Sequence, residues 1–152
     1  MKHEFKKILI AVDASENAKR AVRYVGEIVS DGRGFRITLL YVLRRVERDL
    51  FPDESTWMEK IEKEKKSATK MLERLKGLLV EKGLDAKDVT HELIEISDFS
   101  IAQAIMDFQE KGGYGTVVIG RRGMSKAEEF LFGSISNKIV HYAKNCAVWV
   151  IE

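Results

Sequence analysis

Cysteine is almost missing from this chain: Cys146 is the only one in 152 residues, so no disulfide can form within it. Such usage fits a reducing compartment, and the cytoplasm is the expected location. No apolar run approaches the ~20 residues that cross a bilayer, so no membrane partner is expected. The opening Met1-Lys2-His3-Glu4-Phe5-Lys6-Lys7 has no apolar core ahead of the first motif, which argues against a secretory leader. An excess of one charge is missing too. The 26 basic and 24 acidic residues leave a formal +2, which gives no reason to expect a nucleic-acid partner. His3, His91 and His141 are scattered and form no metal-ligand spacing. No G-x4-G-K-[ST] occurs, and Gly32-Arg33-Gly34 and Gly113-Tyr114-Gly115 lack the third glycine of a dinucleotide fingerprint.

What is present describes one globular domain spanning 1–152. Apolar residues make up 45% and charged residues 33%, and the length closes one sizeable core but not two. Ile8-Leu9-Ile10-Ala11-Val12 reads as a strand buried on both faces, ending at Asp13. Ser15 or Asn17 is placed to cap a helix carrying Ala18, Ala21, Val22, Val25, Ile28 and Val29. Residues 35–42 read as a second buried strand. After an irregular stretch holding the only proline, Pro52, a long helix is expected from Ser55 to about Lys82, stopped at Gly83. Its apolar stripe is Met58, Ile61, Ala68, Leu72, Leu75 and Leu79. A weaker strand over 89–96 follows, then a helix with Ile101, Ala104, Ile105 and Phe108 on one face. Thr116 to Ile119 is a fourth strand, 134–144 a last helix, and Ala147 to Ile151 a fifth strand.

The order βαβαβαβαβ predicts a five-stranded, mostly parallel sheet with helices on both faces, a Rossmann-like three-layer α/β sandwich. Ligands of such sheets bind beyond the carboxyl ends of the strands, where strand order reverses. That directs attention to Asp13, Val42 and the segment after Ile119. This segment reads Gly120-Arg121-Arg122-Gly123, nine residues, then Gly133-Ser134. Glycines three apart allow backbone to come close to a ligand or take positive φ. Gly133-Ser134 stands where the last helix should begin, so free amides and the positive end of the helix dipole suit an anion such as phosphate. Arg121 and Arg122 add positive charge. On pattern alone a plainer reading stays open, in which Gly120 ends a strand and Gly133-Ser134 starts a helix.

Ile8-Leu9-Ile10-Ala11-Val12-Asp13-Ala14-Ser15-Glu16 resembles the opening of the universal stress protein family. Gly120-x2-Gly123-x9-Gly133-Ser134 is similar to that family's ATP-binding motif in both spacings. The resemblance covers essentially the whole chain, and it departs from the family pattern at Ser97-Asp98-Phe99 and at Ala147, where a proline is common. It implies a protein of the ATP-binding branch. Asp13 would approach the ribose or an associated Mg2+, Ala11 would line the adenine pocket, and the backbone of Val42 would hold the adenine edge. Gly120, Gly123, Gly133 and Ser134 would cradle the phosphates, with Ile135 and Ser136 continuing the helix start. It also implies a homodimer through the strand Ala147–Ile151, an apolar edge without proline or lysine.

Other features have simpler readings. Asp13 alone could serve as a helix cap. A receiver domain would need further carboxylates that Glu95 and Asp98 supply poorly. Residues 59–66 are a charge run that suits a solvated helix face, with a partner surface as the alternative. Trp57 either covers the loop above the ligand or packs locally. Cys146 reads as an apolar filler. No nucleophile has a base beside it in sequence and no water-activating base is evident, so ATP hydrolysis is expected to be slow or absent. The competing functions are a nucleotide-independent dimeric interaction module and a slow ATP-hydrolysing enzyme.

Overall fold

β1 (Glu4–Val12) is the strand about which the sheet is arranged. The computed structural model describes residues 4–98, 100–120 and 134–152. β1 is followed by α1 (Glu16–Val29), β2 (Arg36–Arg44), α2 (Glu54–Glu81), β3 (Val89–Ile96) and α3 (Ile101–Gly112). β4 (Tyr114–Gly120), α4 (Ser134–Tyr142) and β5 (Ala147–Ile151) complete the chain. The five strands lie in the order β3-β2-β1-β4-β5, and every pairing is parallel. Ala11 of β1 sits opposite Leu40 on one side and Ile119 on the other.

Alternation along the strands divides the core in two. Ile8, Ile10, Ile37, Leu39 and Val118 face α1 and α2, whereas Leu9, Leu40, Val117 and Ile119 face α3 and α4. Both sets are almost fully excluded from water, which is why the central strands read as continuous apolar runs. β1, β2 and β4 each extend beyond the apolar segments that mark them in sequence, because their polar ends still find ladder partners.

The helices begin and end by local chemistry. Asp53 caps α2 by accepting from the Thr56 amide at 2.7 Å, and Ser100 caps α3 through the Gln103 amide at 3.0 Å. Gly83, at φ +110°, follows α2 as the sequence predicts. Two expectations are corrected. Asn17 lies inside α1 rather than capping it, since the helix already starts at Glu16. Met58 leaves the buried stripe of α2 and is 43% exposed, because the helix runs past the sheet there.

α1 and α2 meet where glycine allows it. A side chain at Gly26 would lie 3.1 Å from the Lys82 side chain and 3.5 Å from Leu79. Leu79 is wholly buried at this crossing. Leu79→Ala is therefore expected to lower stability by about 2–5 kcal/mol, read as a lower urea midpoint with an unchanged slope.

Candidate functional site

The chain turns from β1 into α1 within three residues, and Asp13 fixes that turn. Its carboxylate accepts from the Ser15 amide at 2.9 Å and also from the Ser15 hydroxyl. Ser15 holds the N-cap position, yet its hydroxyl makes no cap bond, because Asp13 claims it. This Asx-type arrangement aims the first turn of α1 across the carboxyl end of β4. The carboxylate also acts on Tyr41, whose phenol is pushed above its ordinary pKa by burial first, then by Glu64 and Asp13.

Gly120 closes the other side of the crevice. Its φ is not positive, so conformational freedom is not the reason for glycine here. A Cβ at this position would stand 2.8 Å from the Asn17 carbonyl oxygen and 3.0 Å from its carbon. The backbone of α1 leans onto β4 at the point where a side chain would stop it. The close approach that sequence assigns to a ligand is, for Gly120, at least as much an approach by Asn17.

Between β1 and β4 strand order reverses, and there a cleft opens at the carboxyl edge of the sheet with about 720 Å³ of empty space, its mouth included. Ala11, Asp13, Val42, Gly120, Ile135 and Ser136, all expected from sequence, line it together. Arg121, Arg122, Gly123 and Gly133 lie outside the described residues, and Ser134 is placed as the first residue of α4. Ser136 is 3% exposed, a buried hydroxyl in an otherwise apolar wall.

That apolar wall is what the sequence reading missed. Leu40, Ile101, Ile105 and Ile119 enclose the inner end of the cleft. Their helical or strand periodicity marks them as core, but only the strand order shows that some of that core borders an opening. An apolar wall together with Asp13, Ser15 and Ser136 suits a ligand that has both an apolar and a polar part. Among the described lining residues Asp13 is the only carboxylate, and no histidine lines the cleft. No cluster of three or more His, Cys, Asp or Glu able to hold a metal occurs among the described residues.

Elsewhere the polar chemistry is structural. Trp57 donates its indole N–H to the Val46 carbonyl at 2.8 Å and lies under the Arg45 guanidinium, so it clamps the connection from β2 to α2. The charge run of α2 is not solvated throughout: Lys65 reaches Glu95 of β3, which Arg45 also contacts at 2.6 Å. The Lys65 hydrogen bond, aided by Arg45, holds the Glu95 carboxyl below its usual range. Cys146 is half-buried, and burial pushes its thiol pKa up, consistent with a filler and not a reactive thiolate.

Comparison with known proteins agrees with this architecture. Residues 4–152 match the model of the Universal stress protein family. Universal stress protein YxiE of Bacillus subtilis (strain 168) is 24% identical over 155 residues, aligning 97% of this chain with 99% of its own length. Among solved structures, hypothetical protein MJ0577 superposes with a TM-score of 0.79 at 24% identity, covering 97% of this chain and 95% of its own. A universal stress protein from Archaeoglobus fulgidus, solved in complex with dAMP, gives 0.65 at 21% identity, with 96% and 97% covered. Another universal stress protein, solved in complex with cAMP, gives 0.65 at 15% identity, with 97% of both chains covered.

The Gly120 contact yields a direct test. Gly120→Ala forces backbone against backbone, and an overpacked site of this kind costs about 1–3 kcal/mol. The expected outcome is a lower thermal midpoint in the absence of any ligand, a loss that a glycine serving a ligand alone would not produce.

Proposed function

The chain belongs to the universal stress protein family, and from that premise we propose that it binds ATP, with Mg2+, in the cleft between β1 and β4. The observation that carries this reading is the meeting of Ala11, Asp13, Val42, Gly120, Ile135 and Ser136 around one opening at the reversal of strand order. The adenine ring lies against Ala11, Val42 and the apolar wall, with the Val42 backbone reading its edge. Asp13 faces the ribose or the metal. Gly120, Arg121, Arg122, Gly123, Gly133 and Ser134, followed by Ile135 and Ser136, would hold the phosphates. The adenine nucleotides named for two of the similar structures support the ligand class.

A single carboxylate fits Mg2+ that arrives with the nucleotide, since this ion takes one or two carboxylates and fills its shell with phosphate oxygens and water. The metal would neutralise phosphate charge, and Asp13 would orient it. Asp13 is already engaged by Ser15, and among the described lining residues no second carboxylate and no histidine accompanies it. It is poorly placed to activate water, which supports binding with little turnover. The biological role that follows is regulatory: nucleotide state governs what the protein engages under stress.

The protein acts as a cytoplasmic homodimer through β5 in this reading. No described helix is long and apolar enough to cross a membrane, and the lone cysteine suits reducing conditions. β5 pairs only with β4 among the described strands, and Trp149 packs edge-on to the exposed Tyr24 at 6.3 Å. An apolar edge of this kind is completed by a second copy. Sedimentation should give twice the chain mass of 17.4 kDa; a lone species at that mass overturns the dimer.

Calorimetric titration with ATP and Mg2+ tests the site. Saturable binding is expected in the native chain, together with its loss in Gly123→Trp and Gly133→Trp. The absence of binding at millimolar nucleotide overturns the proposal, and steady phosphate release above a buffer blank would favour an enzyme instead.

A further inference from the structure

A second opening lies on the opposite face of the sheet, between α1 and α2. The two helices both begin at the carboxyl edge of the sheet and run toward its other edge, so they descend side by side. They touch at their lower ends, where the Gly26 notch receives Lys82 and Leu79 and where Lys82 pairs with Glu27 at 3.3 Å. Higher up, α2 is drawn toward β3 by the Lys65–Glu95 contact and by burial of Ile61 to 2% exposure. Joined below and pulled apart above, the helices enclose a wedge with about 1700 Å³ of empty space, open mouth included.

The wedge has an apolar floor and an uncompensated rim. Ala18 and Ala68 line it from the two helices, both almost fully buried. Met71 and Leu78 are only half-buried on its wall, beside the fully buried Leu75. On the rim Glu16 is matched by Lys19 at 3.2 Å and Glu64 by Lys60 at 3.3 Å. Arg23 of α1 and Arg74 of α2 also line it, exposed, with no hydrogen bond or ion pair among the described residues. Asp13 and Arg44 line it too, one charge of each sign, so the charge left over is positive and comes from both walls.

We propose that this wedge is a second binding site, for an amphipathic monocarboxylate whose chain lies on Met71 and Leu78 and whose head group lies between Arg23 and Arg74. The carboxylate supplies the counter-charge both guanidinium groups lack, in the paired geometry that arginine favours. The chain covers Met71 and Leu78, the two apolar side chains of the wall that remain partly exposed. Its arginine pair is separate from the nucleotide cleft, since neither arginine lines that cleft, although Asp13, Ser15, Ala18 and Val42 line both openings.

Decanoate below its micelle concentration is the probe, followed by amide chemical shifts of the full-length chain. Saturable shifts are expected at Met71, Leu75 and Leu78. Affinity should fall roughly tenfold in the double variant Arg23→Glu/Arg74→Glu, equivalent to about 1.4 kcal/mol. ATP titration of the same variant should match that of the native chain. No saturable shift, shifts confined to Ile101 and Ile105 of the other cleft, or equal decanoate affinity in the double variant would each overturn the proposal. Failure of the native chain to bind ATP would leave the decanoate result intact, so the two readings fail separately.

Discussion

β1 is paired on both sides, with Ala11 held between Leu40 and Ile119, and the rest of the molecule follows from that position. A strand at the middle of a parallel sheet sends its crossover one way while β4 sends its own the other way. Right-handed connections then place α1 and α4 on opposite faces. Among the described helices none covers the gap between β1 and β4 at the carboxyl edge, because α1 and α4 lie on opposite faces. The cleft is thus a consequence of strand order. The side chains around it decide its chemistry but not its existence.

The same constraint explains how forces are distributed on the other face. α1 must lean over β4 to descend along β1, which brings the Asn17 carbonyl onto Gly120. α2 follows β2 and lies nearer to β3, where Lys65, Glu95 and Arg45 meet. Partly exposed ion pairs contribute modestly to stability, so this cluster sets direction more than strength. The strength comes from Ile61, Leu72, Leu75 and Leu79, each at most 2% exposed. Two helices anchored by different strands are free to splay, and the space between them stays unfilled.

Much of this was legible in the sequence, and the limits have physical causes. Strands buried on both faces appear as apolar runs wherever they occur, so all five were visible, though their polar ends were not. Asp13, Val42 and Gly120 were legible because apolar runs mark strand ends, although β2 continues to Arg44, and Ile135 came only from the family resemblance. Ile101 and Ile105 were seen only as one face of a helix, since periodicity reports that a face is buried and not what borders it. Of the two expected caps, Ser15 and Asn17, Ser15 does hold the N-cap position, but its hydroxyl goes to Asp13, a partner that sequence does not reveal. Met58 obeys the stripe of α2 and is nonetheless exposed, because a helical repeat continues past the sheet that would cover it.

The site is built largely from backbone, and this bears on how the fold is shared. Gly120 contributes by having no side chain, α4 by the direction of its first turn, and Asp13 by folding the chain back through Ser15. Features of this kind require a strand order and a few small or capping residues, whereas the walls need only apolar side chains of compatible volume. A chain of 24% identity can therefore superpose on this one with a TM-score of 0.79 while most of its side chains differ. The wedge between α1 and α2 depends on the opposite kind of feature. Arg23 and Arg74 are exposed side chains that packing does not dictate, so the sheet can keep its order and its first cleft whatever stands at those two positions. Selection on the two openings can then act separately, although both border Asp13 and Val42.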